Sequence, residues 1–282
     1  MNVMIKTVDL TKKYGQQKAV DSLNLEVARG VSFALLGPNG AGKTTTLKML
    51  SSLLAPTSGQ VFINGELMNR NNKSIKKDMG MVSQHFSLQK EMTPVEVLKL
   101  HGMLHKLKAA EVRDKISRLL HFADLEKDAG KLVNHLSGGN KRKLMIIRAV
   151  MHEPKILFLD EPTVGLDPSI RRSIWDLLKK LKNDGMTTVL TTHYIEEAGT
   201  LCDTISMMAE GRIIAQDSPQ DFMKTIEPYV VEVFEGSRTS YKYFTDRQQA
   251  AGFVAGCQAN ALIRETNLED VYVRYTNKKM TR

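Results

Sequence analysis

The chain has 282 residues, 42% of them hydrophobic and 25% charged, a globular balance long enough for one large domain or two smaller ones. No apolar run approaches the roughly 20 residues a membrane helix needs, and Met1 to Leu10 carries neither the h-region nor the cleavage site of a signal peptide. The net charge of +9 fits nucleic acid, an anionic membrane face or a solvated basic surface; with no long block of like charge, the last is favoured. The two cysteines, Cys202 and Cys257, form neither a disulfide framework nor a metal spacing, which points to a reducing cytosol.

Alternation over Met4 to Val8 predicts an edge strand, and Leu10 to Gly15 reads as a polar loop carrying one aromatic, Tyr14. Ala19 to Val27 alternates again, as a strand entered through a turn. Val31 to Leu36 is an unbroken apolar run, a short buried strand, and Thr46 to Leu54 reads as the opening of a helix. Pro56 to Gly59 marks a turn, Gln60 to Asn64 a strand closed by Gly65, and Met79 to Ser83 a short strand ending on Gln84. From Thr93 to Lys127 the apolar spacing becomes helical, with Thr93 as N-cap and Pro94 at the first helical position. This reads as an inserted helical subdomain that closes at Leu136 to Asn140, ahead of a basic amphipathic helix from Lys141 to Met151.

Ile156 to Glu161 is an apolar run ending in two acids, the profile of a central parallel strand buried on both faces. Ser169 to Asn183 reads as a helix, Thr187 to Thr191 as a strand, Tyr194 to Cys202 as a short helix, and Thr204 to Met208 with Arg212 to Ala215 as a hairpin. Strands alternating with helices predict an α/β domain on a largely parallel sheet. The tail from about Gln216 offers strands at Tyr229 to Phe234, Tyr241 to Phe244 and Ala261 to Arg264 and a helix at Asp246 to Gly256, and no chemistry.

Between the strand ending at Leu36 and the next helix lies Gly37-Pro38-Asn39-Gly40-Ala41-Gly42-Lys43-Thr44-Thr45. Glycines let the backbone wrap closely round a phosphate. Successive N–H groups and the positive end of the helix dipole then point at it. Lys43 can reach β- and γ-phosphate oxygens, and the Thr44 hydroxyl can sit on Mg²⁺. The pattern predicts a nucleoside-triphosphate site. In such a site an aspartate at Asp160 holds Mg²⁺, directly or through water. Glu161, facing the other way, can polarise the attacking water. Without the phosphate loop the Asp-Glu pair would read as a solvated strand end. His193, just past the next strand, stands where its imidazole can meet the γ-phosphate, although a lone histidine is more often a satisfied surface or core residue. Gln84 ends a strand within reach of Mg²⁺ or water, a weak signal by itself, and Tyr14 is open to stacking on adenine or to plain packing. Ser137-Gly138-Gly139 opens a helix, a second anion cradle. One ATP needs one such loop within a chain, so the spare cradle suggests a site completed by another chain.

With these residues in order, positions 1 to about 217 resemble the ATP-binding subunit of ABC transporters. GPNGAGKTT (Gly37 to Thr45) is similar to Walker A, Gln84 to the Q-loop, LSGGN (Leu136 to Asn140) to the signature, ILFLDE (Ile156 to Glu161) to Walker B, GLD (Gly165 to Asp167) to the D-loop, His193 to the switch histidine and Tyr14 to the adenine-stacking A-loop. The resemblance implies a P-loop ATPase fold. An antiparallel β-subdomain leads it, a helical subdomain at about 85–150 is inserted, and a small α+β extension spans 218–282. ATP and Mg²⁺ are the implied cofactors, with Thr44, Gln84 and Asp160 on the metal and Glu161, His193 and Gln84 catalytic. The implied assembly is a head-to-tail dimer, expected as a homodimer, in which Ser137 and Gly139 of one chain contact the γ-phosphate held by the other; Gly138 and Asp167 are also implied to bind the nucleotide. An integral-membrane permease would dock on the helical subdomain, placing the chain peripherally on the cytoplasmic face of the membrane, with no nucleic acid expected.

Asn140, where many members have glutamine, and GLDP (Gly165 to Pro168) resemble the ABC-2 exporter branch of drug-resistance, polysaccharide and sodium efflux ATPases. Asn267 to Tyr272 is similar to a closing motif of that branch, whereas Ala28 to Val31 lacks the acidic residue usual before Walker A. A soluble ATPase of this fold acting on ribosomes or nucleic acid would suit +9. Such translation factors resemble two fused copies and the repair members carry long coiled coils; this chain has one phosphate loop and no heptad run.

Overall fold

The computed structural model describes residues 3–69 and 72–280. Met1, Asn2, Arg70, Asn71, Thr281 and Arg282, which fall within the expected ranges 1–217 and 218–282, lie outside the described residues. The chain divides into two compact units between Ile213 and Ile214.

The first unit begins with a hairpin of β1 (Val3–Tyr14) and β2 (Gln17–Ala28). β4 (Ser58–Ile63) and β5 (Glu66–Leu67) complete a sheet of order β2-β1-β4-β5. Two expectations are corrected here. β1 is an inner strand rather than an edge, because β4 pairs along its other side. It also continues through Leu10 to Tyr14, the predicted loop, up to the hairpin pair Tyr14–Gln17. Register shifts between Thr7 and Lys13, with Asp9 at φ 47, break the two-residue alternation that would have marked a strand.

The second sheet has the order β10-β9-β3-β8-β7-β6. Its strands are β3 (Ser32–Leu36), β6 (Met79–Val82), β7 (Ile156–Asp160), β8 (Thr187–Thr192), β9 (Thr204–Ala209) and β10 (Arg212–Asp217). The pairings β3–β8, β3–β9, β7–β8 and β6–β7 are parallel. Every residue of β3, β7 and β8 is buried, as expected of central parallel strands covered on both faces. The sheets share a core: Ile5, Leu10, Leu23 and Leu25 of the antiparallel sheet cluster with Phe33, Leu35, Leu47, Phe158 and Val189. The parallel strands therefore point their C-terminal ends, Leu36, Asp160 and Thr192, the same way.

The helices are α1 (Lys43–Leu50), α2 (Lys73–Lys77), α3 (Pro94–Leu104), α4 (Ala109–Phe122), α5 (Gly138–Val150), α6 (Pro168–Asn183) and α7 (Ile195–Leu201). α1 starts at Lys43 instead of Thr46 and stops at Leu50, since Ser52 takes φ 58. α5 starts at Gly138 instead of Lys141, because Ser137 Oγ accepts the Asn140 N–H and caps it. Thr93 and Glu96 close a capping box on α3. The helical run predicted from 93 to 127 breaks at His105 to Lys108, where Lys106 takes φ 60.

In the second unit, β11 (Tyr229–Glu235) pairs antiparallel with both β12 (Arg238–Phe244) and β13 (Asn260–Glu265). α9 (Arg247–Ala255) packs on this sheet through Ala250 against Val231 and Val233. α8 (Pro219–Met223) and α10 (Leu268–Met280) were not anticipated as helices.

Candidate active site

The phosphate loop leaves β3 at Leu36 and enters α1 at Lys43. Gly42, the N-cap, takes φ +99 and offers no side chain, so the first N–H groups of α1 remain open to a ligand. A Cβ on Gly42 would sit 2.4 Å from the Ala19 carbonyl oxygen, so β2 pins the loop from one side. Gly37 is equally tight, its Cβ position lying 2.3 Å from the Met208 carbonyl. At the other end of this cradle Pro38, Asn39 and Gly40 are exposed and Ala41 is buried, while Thr44 and Thr45 are half-buried.

Lys43, 4% exposed, aims its Nζ back along the loop. It donates to the Gly37 and Pro38 carbonyls at 2.8 and 3.0 Å and lies 3.7 Å from Glu161 Oε1. Burial pushes its pKa below the usual lysine value, and the charge of Glu161 opposes that shift. The Thr44 hydroxyl donates to Asp160 Oδ1 at 2.8 Å, and the Thr191 hydroxyl donates to the same oxygen at 2.7 Å. Thr191 also receives the Glu161 N–H, on both its carbonyl and its hydroxyl oxygen, at 3.1 Å. Glu161 takes φ 47, a left-handed conformation that costs a non-glycine residue roughly 1–3 kcal/mol. That turn, fixed by Thr191, places the carboxylate between Lys43 and His193, whose Nδ1 lies 3.3 Å from Glu161 Oε2 without hydrogen-bond alignment.

Lys43, Thr44, Asp160, Glu161 and His193 thus share one contact network. The remaining candidates stand apart from it in this chain. Gln84 contributes its carbonyl oxygen, which accepts from Arg142. Tyr14 sits at the tip of the β1–β2 hairpin, 54% exposed, with Lys12 Nζ 5.5 Å from its ring. Ser137 and Gly138 are exposed at the start of α5, and Gly139 is buried against Ile170. Asp167 is the exposed N-cap of α6 and accepts no capping bond there.

Sequence reasoning missed the polar residues beneath the site. Arg142, 2% exposed, donates to the Ser83 and Gln84 carbonyls at 2.8 Å each and so fixes the segment leaving β6. Glu197 is fully buried and accepts from the Thr163 hydroxyl at 2.7 Å and from Trp175 Nε1 at 3.2 Å. Burial raises its pKa, and bonds from Thr192, Thr163 and Trp175 oppose the rise. The signal for Thr191 was present: hydroxyls on a strand buried on both faces must find partners.

A tight loop at a helix N-terminus, a buried lysine and two strand-end carboxylates define a P-loop nucleoside triphosphatase. The sequence matches the family described as "ABC transporter" over residues 20–164. The Nod factor export ATP-binding protein I of Ralstonia nicotianae is 38% identical, over 96% of this chain and 93% of that protein. A solved ATP-binding subunit of an ABC transporter superposes with TM-score 0.73 at 27% identity, covering 97% of this chain and 99% of that one. A dimeric, post-hydrolysis ATP-binding cassette bound to ADP and Pi matches with TM-score 0.69 at 31% identity, over 76% and 98%. The chain belongs to the ABC transporter family, as an ATP-binding protein with ATPase activity.

Proposed function

We propose that this chain is the ATP-hydrolysing motor of an exporter and works through a separate ABC-2 type permease. Residues 1–217 form the ATP-binding domain on this reading. The observation that carries it is the contact network of Lys43, Thr44, Asp160, Glu161 and His193 at the C-terminal edge of a parallel sheet, where ligands of such sheets bind. The N–H groups opening α1 and the Lys43 ammonium neutralise the β- and γ-phosphates. Glu161, held against Lys43 and His193, orients and polarises the attacking water, and His193 meets the γ-phosphate. Thr44 and Asp160 present hard oxygen donors side by side and fit Mg²⁺, with Gln84 as a third ligand. The ion, when bound, neutralises charge on the phosphates. Tyr14 stacks on adenine, while Ser137, Gly138, Gly139 and Asp167 serve the ATP of a second copy in a homodimer.

Two features support a membrane partner. The reading puts the passage across the membrane on the permease, and among the described residues no helix is long and apolar enough to cross a membrane. Phe86, Met103 and Leu104 are exposed apolar side chains within the segment 85–150 that would receive the permease. The printed function of the relatives supports export, and on this reading the chain lies peripherally on the cytoplasmic face of the membrane. The test is affinity purification from gently solubilised membranes. An integral-membrane protein should co-purify in stoichiometric amount. RNA co-purifying in its place would move the function to nucleic acid.

A further inference from the structure

We propose that His101, His105 and His152 form a binding site for one late first-row divalent cation of the zinc class, separate from the nucleotide site. One ring nitrogen from each residue lies within 4.8 Å of the others. His101 and His105 stand four residues apart at the C-terminal end of α3, a spacing that brings two imidazoles onto one helix face. His152 follows α5 and packs its ring 3.8 Å from that of His105 and 5.6 Å from that of His101.

The hydrogen bonding favours a ligand over plain packing. His152 Nε2 lies 3.0 Å from the Met79 carbonyl, and a carbonyl only accepts. Nε2 therefore carries the proton, and Nδ1 keeps its lone pair. That Nδ1 is buried and has no hydrogen-bond partner, and the same holds for His101 Nε2. Two buried ring nitrogens without partners in one histidine cluster are a costly arrangement in a folded core. A backbone carbonyl orienting the non-ligating nitrogen is also the usual outer shell of a metal-bound histidine. Burial above all, then the neighbouring rings, lowers the pKa of His101 and His152 to about 4, and burial lowers that of His105.

The surrounding cations are already engaged. Lys115 pairs with Glu111 and Glu153, Lys155 with Asp78, and Arg148 donates to the Ser87 carbonyl and hydroxyl. Nitrogen donors without thiolate or carboxylate suit zinc, nickel, cobalt or copper rather than magnesium or calcium. Ligands about 2.1 Å from a tetrahedral ion lie roughly 3.4 Å apart, so the trio must draw in slightly. His105, half-buried at the C-cap of α3, turns out of its stack on His152 to do so. The ion would then tie α3 to the α5–β7 junction and to the start of β6, the strand that leads to Gln84.

The full chain, stripped with EDTA, is titrated with ZnCl₂ by calorimetry. One zinc per chain is expected at micromolar affinity or tighter. His101→Gln, His105→Gln and His152→Gln should each weaken binding at least tenfold, and His121→Gln, on an exposed ring, should not. Equal affinity in all four variants, or no binding by the parent, overturns the site. Where a variant fails to fold, CoCl₂ added to the parent decides: a visible spectrum of imidazole-bound cobalt, erased by zinc, supports the site, and its absence overturns it.

Discussion

Thr44 and Asp160, 116 residues apart in sequence, are joined by a 2.8 Å hydrogen bond from the threonine hydroxyl to Asp160 Oδ1. It links the first turn of α1 to the end of β7, so the two oxygens proposed for Mg²⁺ are set by the sheet and not by loop chance. Asp160→Asn keeps an oxygen to accept from Thr44 and Thr191 but loses the charge. The fold should hold while MgATP turnover falls by roughly 10²–10³-fold. ATP affinity measured in EDTA should stay near that of the parent. An unchanged magnesium dependence would remove Asp160 from the metal site.

Glu161 is held at φ 47 with its carboxylate between Lys43 and His193. Glu161→Gln preserves the shape and removes the base. Hydrolysis should slow by roughly 10²–10⁴-fold, with ATP binding retained. Turnover at the parent's rate would shift the role to His193, and a pH–rate profile on His193→Ala would then locate the base.

Much of this network was legible in the sequence because its members sit where chain direction is unambiguous. Lys43 follows a buried strand through a glycine loop, and Asp160 and Glu161 terminate an unbroken apolar run. What escaped was fixed by contacts distant in sequence. The run Leu10 to Tyr14 looked like a loop because bulges in β1 interrupt its alternation, while pairing on both sides keeps it a strand. Arg142 and Glu197 lie in stretches whose pattern announced only helices, yet each is buried by packing that no local pattern announces. The amphipathic pattern put the start of α5 at Lys141, because helix propensity disfavours paired glycines, whereas the cradle reading put it at Ser137 to Gly139; the Ser137 cap decides for the latter.

Two glycines of the phosphate loop separate backbone strain from crowding. Gly40 takes φ +83 with nothing within 4 Å of a Cβ, whereas Gly42 takes φ +99 with the Ala19 carbonyl 2.4 Å away. Gly40→Ala should cost only the left-handed strain, about 1–2 kcal/mol. Gly42→Ala must also push β2 off the loop, and should lose about 3 kcal/mol or more together with ATP binding. Urea denaturation and nucleotide titration of both variants check this. Equal stability loss would mean that the Ala19 contact is soft.

Glu197 carries a pH signature. Its pKa in the folded chain is raised by burial above the ordinary carboxylate value. Between those two values the folded state holds a proton that the unfolded state has released. Stability is therefore full below the ordinary value and declines as pH rises through the raised one. Glu197→Gln keeps an oxygen for Thr163 and Trp175 and has no proton to lose. The parent should melt progressively lower relative to this variant as pH rises from about 4.5. A difference in melting temperature that is flat with pH would refute the raised value.

Assembly follows from where the second cradle lies. Ser137 and Gly138 are exposed: Ser137 caps α5 through the Asn140 N–H, and a Cβ on Gly138 would lie 3.8 Å from Leu166, just ahead of α6. In a twofold dimer each chain lends this patch and receives the other's, so bound ATP becomes part of the interface. Dimer stability should then track nucleotide occupancy. Glu161→Gln with MgATP should run as a dimer, and the nucleotide-free chain mostly as a monomer. Adding Ser137→Arg puts a long side chain where the helix N-terminus must approach phosphate. That double variant should still bind ATP through its own Gly37 to Thr45 loop and yet stay monomeric. Light scattering with and without MgATP, at matched salt, reads the outcome. If the double variant dimerises as well as Glu161→Gln alone, Ser137 does not complete the partner's site. If it loses ATP binding as a monomer, both cradles serve one chain. Mixing Lys43→Ala with Ser137→Arg chains supplies the complementary test. Each mixed pair has one intact Lys43 loop, and it faces the intact Ser137 of the other chain in only one of its two sites. At most one working site per pair should be recovered, and turnover above that level would show that hydrolysis does not need the reciprocal contact.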